Sequence, residues 1–342
     1  MSTSLVPRPS LPSKKFLSHT EIRELVQNAP GDIVAQLVPE ASVNLVVGDS
    51  GLGKTPLLMQ LALCVAAGIP FLGQDVRQGK VLFVDFENGL LQLARLQETL
   101  AEYLGLEEVP ASAVLLHQPS SLREVDASVR EFQPRLVIVD ALRGLDPQAE
   151  RDNSSAAALI GGRQKIANEL GMAWLLIHHI RKPDLKSAPD SLKNAPSVRE
   201  WLLQAAGARA LVNQSAVRIG IDSNVGGEAE LIIRGHYKLK GEFGPWFIAR
   251  AYEEAGEAVG YRRLAGIDLL SQEQREKFAL LPLEFTFSEA ERIYGKKGGK
   301  PTAEWLRRCL AAGLLVKTGQ GKATRYRKPA NPMIPQVMEP TM

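Results

Sequence analysis

The octapeptide Gly48–Thr55 (GDSGLGKT) constrains this chain more than any other feature, because it matches the pattern G-x-x-x-x-G-K-[ST] at every fixed position. A short apolar run at 43–47 precedes it, and apolar residues at helical spacing follow over 57–65. A buried strand, a glycine-rich turn and the start of a helix direct backbone N–H groups and a helix N-terminus toward an anion. The octapeptide therefore predicts a site for the phosphates of a nucleoside triphosphate.

The residues of this loop have separate expected tasks. Its glycines allow backbone conformations and close approaches that a Cβ would obstruct. We expect Lys54 to reach the β- and γ-phosphates and the Thr55 hydroxyl to hold Mg²⁺. The expected cofactors are ATP and Mg²⁺, and the residues expected to bind them are Gly48, Asp49, Ser50, Gly51, Leu52, Gly53, Lys54, Thr55 and Pro56.

Apolar strand-like runs alternate with helical segments after the loop. This pattern predicts an α/β domain whose parallel sheet has helices on both faces. Past Arg199 the runs become shorter and are separated by turns, which predicts antiparallel hairpins that extend the sheet, with 210–212 as one strand. The predicted parallel strands are 81–84, 114–116, 136–139 and 174–177.

Polar residues at three strand ends complete a candidate catalytic set, because the chemistry of such sheets lies beyond the carboxyl ends of the strands. Asp140 can hold the Mg²⁺ shell through water. Glu87 can orient and deprotonate the attacking water. Asp85 is the alternative base, and capping of the next helix is the alternative role of Glu87. His178 and His179 either contact the γ-phosphate or are structural.

Composition limits the classes of protein that fit. The 342 residues suffice for one large domain and a small one. Cys64 and Cys309 lie far apart, so neither a disulfide framework nor a paired metal site is expected, and the cytoplasm is the expected location. No apolar run approaches the ~20 residues of a membrane span, and the N-terminus does not resemble a signal peptide.

Positive charge is concentrated near the C-terminus. The net charge is +3, yet residues 292–328 contain eleven lysines and arginines and one acidic residue, Glu304. Such a dense basic segment indicates a polyanionic partner. A second basic segment follows His179 and contains Arg181, Lys182, Lys186 and Lys193. It fits a loop that contacts a nucleic-acid backbone, or an ordinary solvated loop.

The C-terminal segment has the pattern of a winged helix. Helical segments begin near 272, at a capping box formed by Ser288 and Glu291, and at Pro301, and a hairpin follows around 319–321. Trp305 and its neighbours at helical spacing predict a packed face, which leaves the charges for DNA. The residues expected to contact DNA here are Arg307, Arg308, Lys317, Lys322 and Arg325.

The chain is thus predicted to contain two domains. The predicted segments are a flexible arm at 1–18, an ATPase domain at 19–254, a linker at 255–270, a winged helix at 271–328 and a flexible tail at 329–342.

The set formed by the P-loop, Glu87, Asp140 and the histidine pair resembles the RecA-like ATPases, and among them the RepA-type hexameric helicases of plasmids and mobile elements. The resemblance covers about residues 30–250. It implies a homo-hexameric ring with nucleotide between subunits, and channel loops at 143–155 and 180–197 for single-stranded DNA. It also implies an arginine finger from the neighbouring subunit, for which Arg209 is the first candidate and Arg218 the second.

The winged helix departs from the minimal plasmid helicases and leaves two functions open. One is an ATP-dependent helicase that acts on single-stranded DNA and contacts duplex or forked DNA through the winged helix. The other is a DNA-binding regulator whose ATPase core switches assembly without unwinding. Other P-loop classes fit less well, since no N-K-x-D motif for guanine occurs in the chain.

Overall fold

A computed structural model of the protein describes residues 16–28, 31–180, 191–224, 230–253, 256–295, 299–319 and 324–329. Its strands are β1 (Ser42–Gly48), β2 (Val81–Asp85), β3 (Ala113–His117), β4 (Leu136–Asp140), β5 (Ala173–His179), β6 (Val217–Ser223), β7 (Leu231–Tyr237), β8 (Gly241–Tyr252), β9 (Ala258–Leu264), β10 (Glu284–Phe285), β11 (Val316–Thr318) and β12 (Arg325–Arg327). Its helices are α1 (His19–Asn28), α2 (Lys54–Ala67), α3 (Leu90–Tyr103), α4 (Leu122–Phe132), α5 (Leu142–Leu145), α6 (Asn153–Leu170), α7 (Val198–Trp201), α8 (Arg209–Gln214), α9 (Gln272–Ala279), α10 (Phe287–Tyr294) and α11 (Lys300–Ala311).

The central feature is a nine-stranded sheet with the order β3-β2-β4-β5-β1-β6-β7-β8-β9. The pairs β2–β3, β2–β4, β4–β5, β1–β5 and β1–β6 are parallel. In this register Asp85 lies opposite Asp140, and Gly48 lies opposite His179. The large, mostly parallel sheet with its helices confirms the predicted α/β class.

Burial explains why these segments form the centre of the sheet. Every residue of β1, β2 and β4 is buried, as expected for continuous apolar strands covered on both sides. Helix α2, which follows the P-loop, is buried around almost its whole circumference, including Met59 and Cys64. The P-loop therefore joins two buried elements, which restricts its conformation.

Two predictions past Arg199 are wrong. Residues 210–212, predicted as a strand, belong to helix α8, whose second residue donates its backbone N–H to the Asn153 side chain at 3.0 Å. The hairpin prediction is also wrong for 217–221, because strand β6 pairs in parallel with β1, and helices α7 and α8 lie between β5 and β6 in the chain.

The described residues fall into two compact units. The first lies within Met1–Asp222, Ile233–Pro245 and Ala251–Tyr261, and the second within Ser223–Ile232, Trp246–Arg250 and Arg262–Met342. The boundaries predicted for the domains stay predictions. Within the predicted linker 255–270, however, the structure has β9 and a 3-10 helix, Gly266–Leu269. The strand pattern here is weak in the sequence, because the alternating positions Val259, Tyr261 and Arg263 are few and include a charged residue.

The second unit contains helices α9, α10 and α11 and an antiparallel sheet with the order β10-β12-β11. Trp305 and Phe285 are fully buried in its core, and the Trp305 ring stacks on Tyr294 with a centroid distance of 4.5 Å. Stacked aromatic pairs of this kind contribute about 1 kcal/mol beyond their buried area. These contacts confirm the packed face predicted for α11.

The capping box was predicted at the wrong residues. The Thr286 side chain accepts from the Glu289 backbone N–H and the Glu289 side chain accepts from Thr286, so α10 begins at Phe287. Glu291 instead accepts a hydrogen bond from the Gly299 backbone at 3.0 Å. Thr286 has extended backbone dihedral angles, which a residue at the N-cap requires.

No helix in the described part of the chain is both long enough and apolar enough to cross a membrane.

Candidate active site

The P-loop lies between the carboxyl end of β1 and the first turn of α2. Gly51 and Gly53 have φ angles of 75° and 90°, in the left-handed region that favours glycine. A Cβ on Gly48 would lie 2.6 Å from the Ile221 carbonyl oxygen on β6. The glycines at 51 and 53 are therefore needed for backbone conformation, and the glycine at 48 for close packing of neighbouring strands.

Lys54 is buried inside the curve of the loop. Its Nζ donates hydrogen bonds to the backbone oxygens of Gly48 at 3.1 Å and Asp49 at 2.6 Å. Burial lowers the pKa of Lys54, while the charges of Asp140, Asp49 and Glu87 act in the opposite direction. The loop thus holds one positive charge at the place where an anion would be bound.

Thr55 and Asp140 are joined by a short hydrogen bond. The Thr55 hydroxyl donates to Asp140 Oδ2 at 2.5 Å, and Asp140 is only 2% exposed at the end of β4. Burial raises the pKa of Asp140 to about 6, with the charges of Asp85 and Glu87 adding to the shift and the Thr55 bond opposing it.

A hydroxyl and a carboxylate are suitable protein ligands for Mg²⁺, which usually keeps several waters and binds substrate phosphates. Among the described residues no cluster of three histidine, cysteine or acidic side chains could enclose a metal by itself. The pair Thr55 and Asp140 therefore fits an ion held jointly by protein and nucleotide.

Asp85 and Glu87 differ in their surroundings. Asp85 is fully buried, and its two oxygens accept from the backbone N–H groups of Glu87 and Asn88 and from the Asn88 side chain at 2.6–3.2 Å. Glu87 is 47% exposed at its side chain. Asp85 thus stabilises the turn after β2, and that turn presents Glu87.

The two histidines at the end of β5 also differ. His179 lies between Ser50 and Glu87, with its Nδ1 3.5 Å from Ser50 Oγ and its Nε2 3.4 Å from Glu87 Oε1. His178 is buried, with Nε2 2.6 Å from the Ala206 carbonyl oxygen and Nδ1 3.3 Å from Glu150 Oε1. Burial lowers the pKa of His178. His179 therefore belongs to the site, and His178 joins β5 to the segment before α8.

These groups border one cleft of about 370 Å³. The predicted residues that line it are Ser50, Gly51, Gly53, Lys54, Thr55, Pro56, Glu87, Asp140 and His179. Sequence reasoning missed Asn88, Gln92, Leu93 and Leu96, which come from the turn after Glu87 and the first part of α3. Gln92 and Leu96 are four residues apart on one face of α3, and Asn88 follows Glu87 directly, so this spacing could have identified them.

Of the two arginine-finger candidates, Arg209 is exposed at the first position of α8. Arg218 is mostly buried and donates to the backbone oxygens of Val212 and Asn213, with a further contact to His236 Nδ1 at 3.1 Å. Its guanidinium is thus engaged within the same chain, which favours Arg209.

The residues predicted to contact DNA lie in several places. In the second unit Arg307 and Arg308 are on α11, Lys317 is on β11 and Arg325 is on β12, and all four are exposed or half-buried. Arg181, Lys182, Lys186 and Lys322 lie outside the described residues. Glu304 accepts from Arg307 at 2.8 and 2.9 Å and from Arg308 at 3.2 Å. The sequence did not predict these pairs.

Comparison with known families places this site in context. Residues 13–184, half of the chain, match the AAA domain family, and the match contains the P-loop, Glu87, Asp140 and His179. The chain belongs to the AAA domain family. Together with the parallel sheet, this membership confirms the predicted class of RecA-like P-loop ATPases and implies nucleotide binding.

Relatives of this AAA domain include two bacterial proteins named DNA repair protein RadA. The protein from Pseudomonas aeruginosa is 23% identical over 193 residues, which cover 53% of this chain and 38% of the relative. The protein from Halalkalibacterium halodurans is 24% identical over 179 residues, which cover 51% of this chain and 35% of the relative. The matched region therefore spans little more than a third of each relative.

Proposed function

We propose that this chain is a Mg²⁺-dependent ATPase that assembles into a RepA-type ring and acts on DNA as a helicase or translocase. The observation that carries the hydrolytic part is the meeting of the P-loop, the Thr55–Asp140 pair, Glu87 and His179 around one cleft. Phosphoryl transfer depends on positioning and on charge stabilisation, and these groups supply both.

The proposed roles follow from the geometry. Backbone N–H groups of the P-loop and the Lys54 ammonium bind the β- and γ-phosphates. Thr55 and Asp140 hold Mg²⁺, which when bound neutralises charge on the phosphate oxygens. Glu87 orients the attacking water and accepts its proton. His179 lies beside both Ser50 and Glu87, a position from which it can contact the γ-phosphate.

The proposal that the chain acts on DNA rests on charge and on its relatives. The names of the RadA relatives refer to DNA repair. We propose that α9–α11 with β10–β12 form a winged helix, in which Arg307 and Arg308 on α11 and Lys317 and Arg325 on the strands contact DNA phosphates. Its strongly basic sequence, 292–328, supports this proposal.

Hydrolysis measured with and without single-stranded DNA tests the proposal. With Mg²⁺ present, we expect homopolymeric single strands of different base composition to stimulate the rate similarly, and native mass measurements to show a hexamer. The Lys54→Ala variant is the control for contaminating ATPases. A rate that is unaffected by single strands, together with tight binding to one duplex sequence, would instead identify an ATP-switched regulator.

A further inference from the structure

Tyr261, which the proposed roles do not use, contacts the P-loop from strand β9. Tyr261 is only 5% exposed, and its hydroxyl donates a hydrogen bond to the Gly53 carbonyl oxygen at 3.2 Å. Gly53 is the last residue before α2 and has a φ angle of 90°. The same carbonyl accepts the first helical hydrogen bond of α2, from Leu57 N–H at 3.1 Å.

The backbone of Tyr261 is held by Gln60 on α2. The Gln60 Nε2 donates to the Tyr261 carbonyl at 2.9 Å, and Gln60 Oε1 accepts from the Tyr261 N–H at 2.8 Å. Gln60 is 3% exposed, so the paired amide bonds form in a buried environment, where unpaired groups would be costly. A primary amide offers the donor and the acceptor that this pairing needs.

Helix α3 supports the same strand. The Tyr103 hydroxyl lies 3.4 Å from the Tyr261 carbonyl oxygen. A Cβ on Gly260 would lie 2.1 Å from the Tyr103 ring, so the glycine allows this close packing. Both α2 and α3 contribute residues to the candidate nucleotide cleft, and Tyr261 is bonded to both helices.

The position of the hydroxyl has a consequence for phosphate binding. A trans peptide is planar, and its C=O and N–H point in opposite directions. A hydrogen bond that fixes the Gly53 carbonyl therefore also fixes the N–H of Lys54, the first residue of α2. The same bond polarises the peptide, which makes that N–H a better donor to an anion.

We propose that Tyr261 is a positioning residue of the phosphate site, and that it couples nucleotide binding to the stability of β9. The inference rests on the proposed function, because it requires that the P-loop binds ATP. Coupling is reciprocal, so bound nucleotide should stabilise the strand that carries Tyr261 as much as the strand favours nucleotide binding.

The matched variants are Tyr261→Phe and Tyr103→Phe in the full chain. Each removes one hydroxyl from the same cluster: that of Tyr261 bonds to Gly53 of the P-loop, and that of Tyr103 bonds to β9. Removing one hydrogen bond should weaken Mg-ATP binding about 3- to 10-fold in Tyr261→Phe, and Tyr103→Phe, whose hydroxyl bonds to β9, should weaken it less. Calorimetric titration of each protein with Mg-ATP gives the affinities.

Hydrogen exchange of β9, with and without Mg-ATP, provides a second measurement. We expect nucleotide to slow exchange over Ala258–Leu264 in the wild type and in Tyr103→Phe, and to have much less effect in Tyr261→Phe. Equal Mg-ATP affinities in the two variants would overturn the inference. So would a wild-type protein whose β9 exchanges hydrogen at the same rate with and without Mg-ATP. Titration of the wild type tests the proposed function separately. If the wild type binds Mg-ATP, either of these negative results would contradict the role of Tyr261 and leave nucleotide binding intact.

Discussion

At the scale of single residues, two carboxylates at one strand end have acquired different tasks. Asp85 stabilises a turn with both of its oxygens, and Glu87 extends from that turn into the cleft. The sequence predicted Glu87 as the base, with Asp85 as the alternative. The structure favours Glu87, because Asp85 is fully buried and both of its oxygens are used in the turn, whereas Glu87 lines the cleft.

Substitution of Glu87 by Gln should separate binding from hydrolysis. The neutral amide keeps the shape of the side chain but cannot accept a proton, so we expect ATP binding to persist while the turnover rate falls at least ~10²-fold. Asp85→Asn is the comparison, and it should instead lower the free energy of unfolding by about 1–2 kcal/mol because buried backbone donors lose acceptors. Single-turnover hydrolysis and urea unfolding measure the two effects. If Glu87→Gln hydrolyses ATP normally and Asp85→Asn does not, Asp85 is the base and the assignment of Glu87 is wrong.

Asp140 should make the stability of the nucleotide-free protein depend on pH. Its folded pKa of about 6 lies above the ordinary value of 3.8, so the folded state binds a proton more tightly than the unfolded state. Its ionisation therefore costs stability, and this cost grows as pH rises from about 4 to about 6. The shift corresponds to roughly 3 kcal/mol above pH 6.

Asp140→Asn removes that cost. Without nucleotide or Mg²⁺, the variant should be more stable than the wild type at pH 7, and the difference should shrink toward pH 4. Urea unfolding at several pH values measures it, with the exposed Asp75→Asn as a control for general charge effects. Stability curves that run parallel for wild type and Asp140→Asn would contradict the assigned shift.

At the scale of elements, the sequence predicted the features that depend on residues close together in the chain. The P-loop is contiguous, and Asp140, Glu87 and His179 each end an apolar run, so the parallel strands and most of the cleft could be predicted. Helix α8 was missed because Ala210, Leu211 and Val212 suit a strand as well as a helix. At the start of α8 the Ala210 backbone N–H donates to the side chain of Asn153, which lies on α6 and is distant in the sequence. Tyr261 could not be predicted, since it lies more than 200 residues from Gly53 in the sequence.

Helix α11 displays charges that are already paired with each other. Glu304 accepts from Arg307 and Arg308, and the hydrogen bond from Arg307 lowers the pKa of Glu304. Exposed pairs at this spacing contribute only about 0.3–0.5 kcal/mol each, so DNA phosphates can compete for the arginines. Glu304 also repels the phosphates that the arginines would bind.

Glu304→Gln should therefore strengthen duplex binding by a few-fold at low salt, because it releases two arginines and removes one negative charge. Glu273→Gln on α9 removes the same charge from an exposed position and controls for the change in net charge. Fluorescence anisotropy against salt concentration measures both variants, with Arg307→Ala expected to reduce the slope of log affinity against log salt by about 0.9. If Glu304→Gln and Glu273→Gln bind alike, the pairing on α11 does not regulate DNA binding.

At the scale of the whole molecule, the segment before α8 links the nucleotide site to a surface arginine. Ala206 donates its N–H to the His179 carbonyl at 2.9 Å, and its carbonyl lies 2.6 Å from His178 Nε2. Arg209 follows three residues later and is exposed. A strand end that contacts the cleft through His179 is thus hydrogen-bonded to the segment that carries the candidate finger. In the proposed ring, this arrangement would connect the nucleotide state of one subunit to the position of the arginine that it presents to the next.

Mixed oligomers test that assignment. An arginine finger supplied by a neighbour is worth ~10³-fold or more in rate, so Arg209→Ala should be nearly inactive, while Arg199→Ala, which removes an exposed arginine nearby in sequence, should stay active. Lys54→Ala should also be inactive, because its own site cannot bind the phosphates productively. In an equal mixture, about a quarter of the interfaces in a head-to-tail ring join an intact P-loop to an intact Arg209, and activity should partly return. Steady-state hydrolysis of the mixtures gives the result, and native mass measurements verify that the subunits have exchanged. Mixed oligomers that recover no activity would exclude Arg209 as the finger.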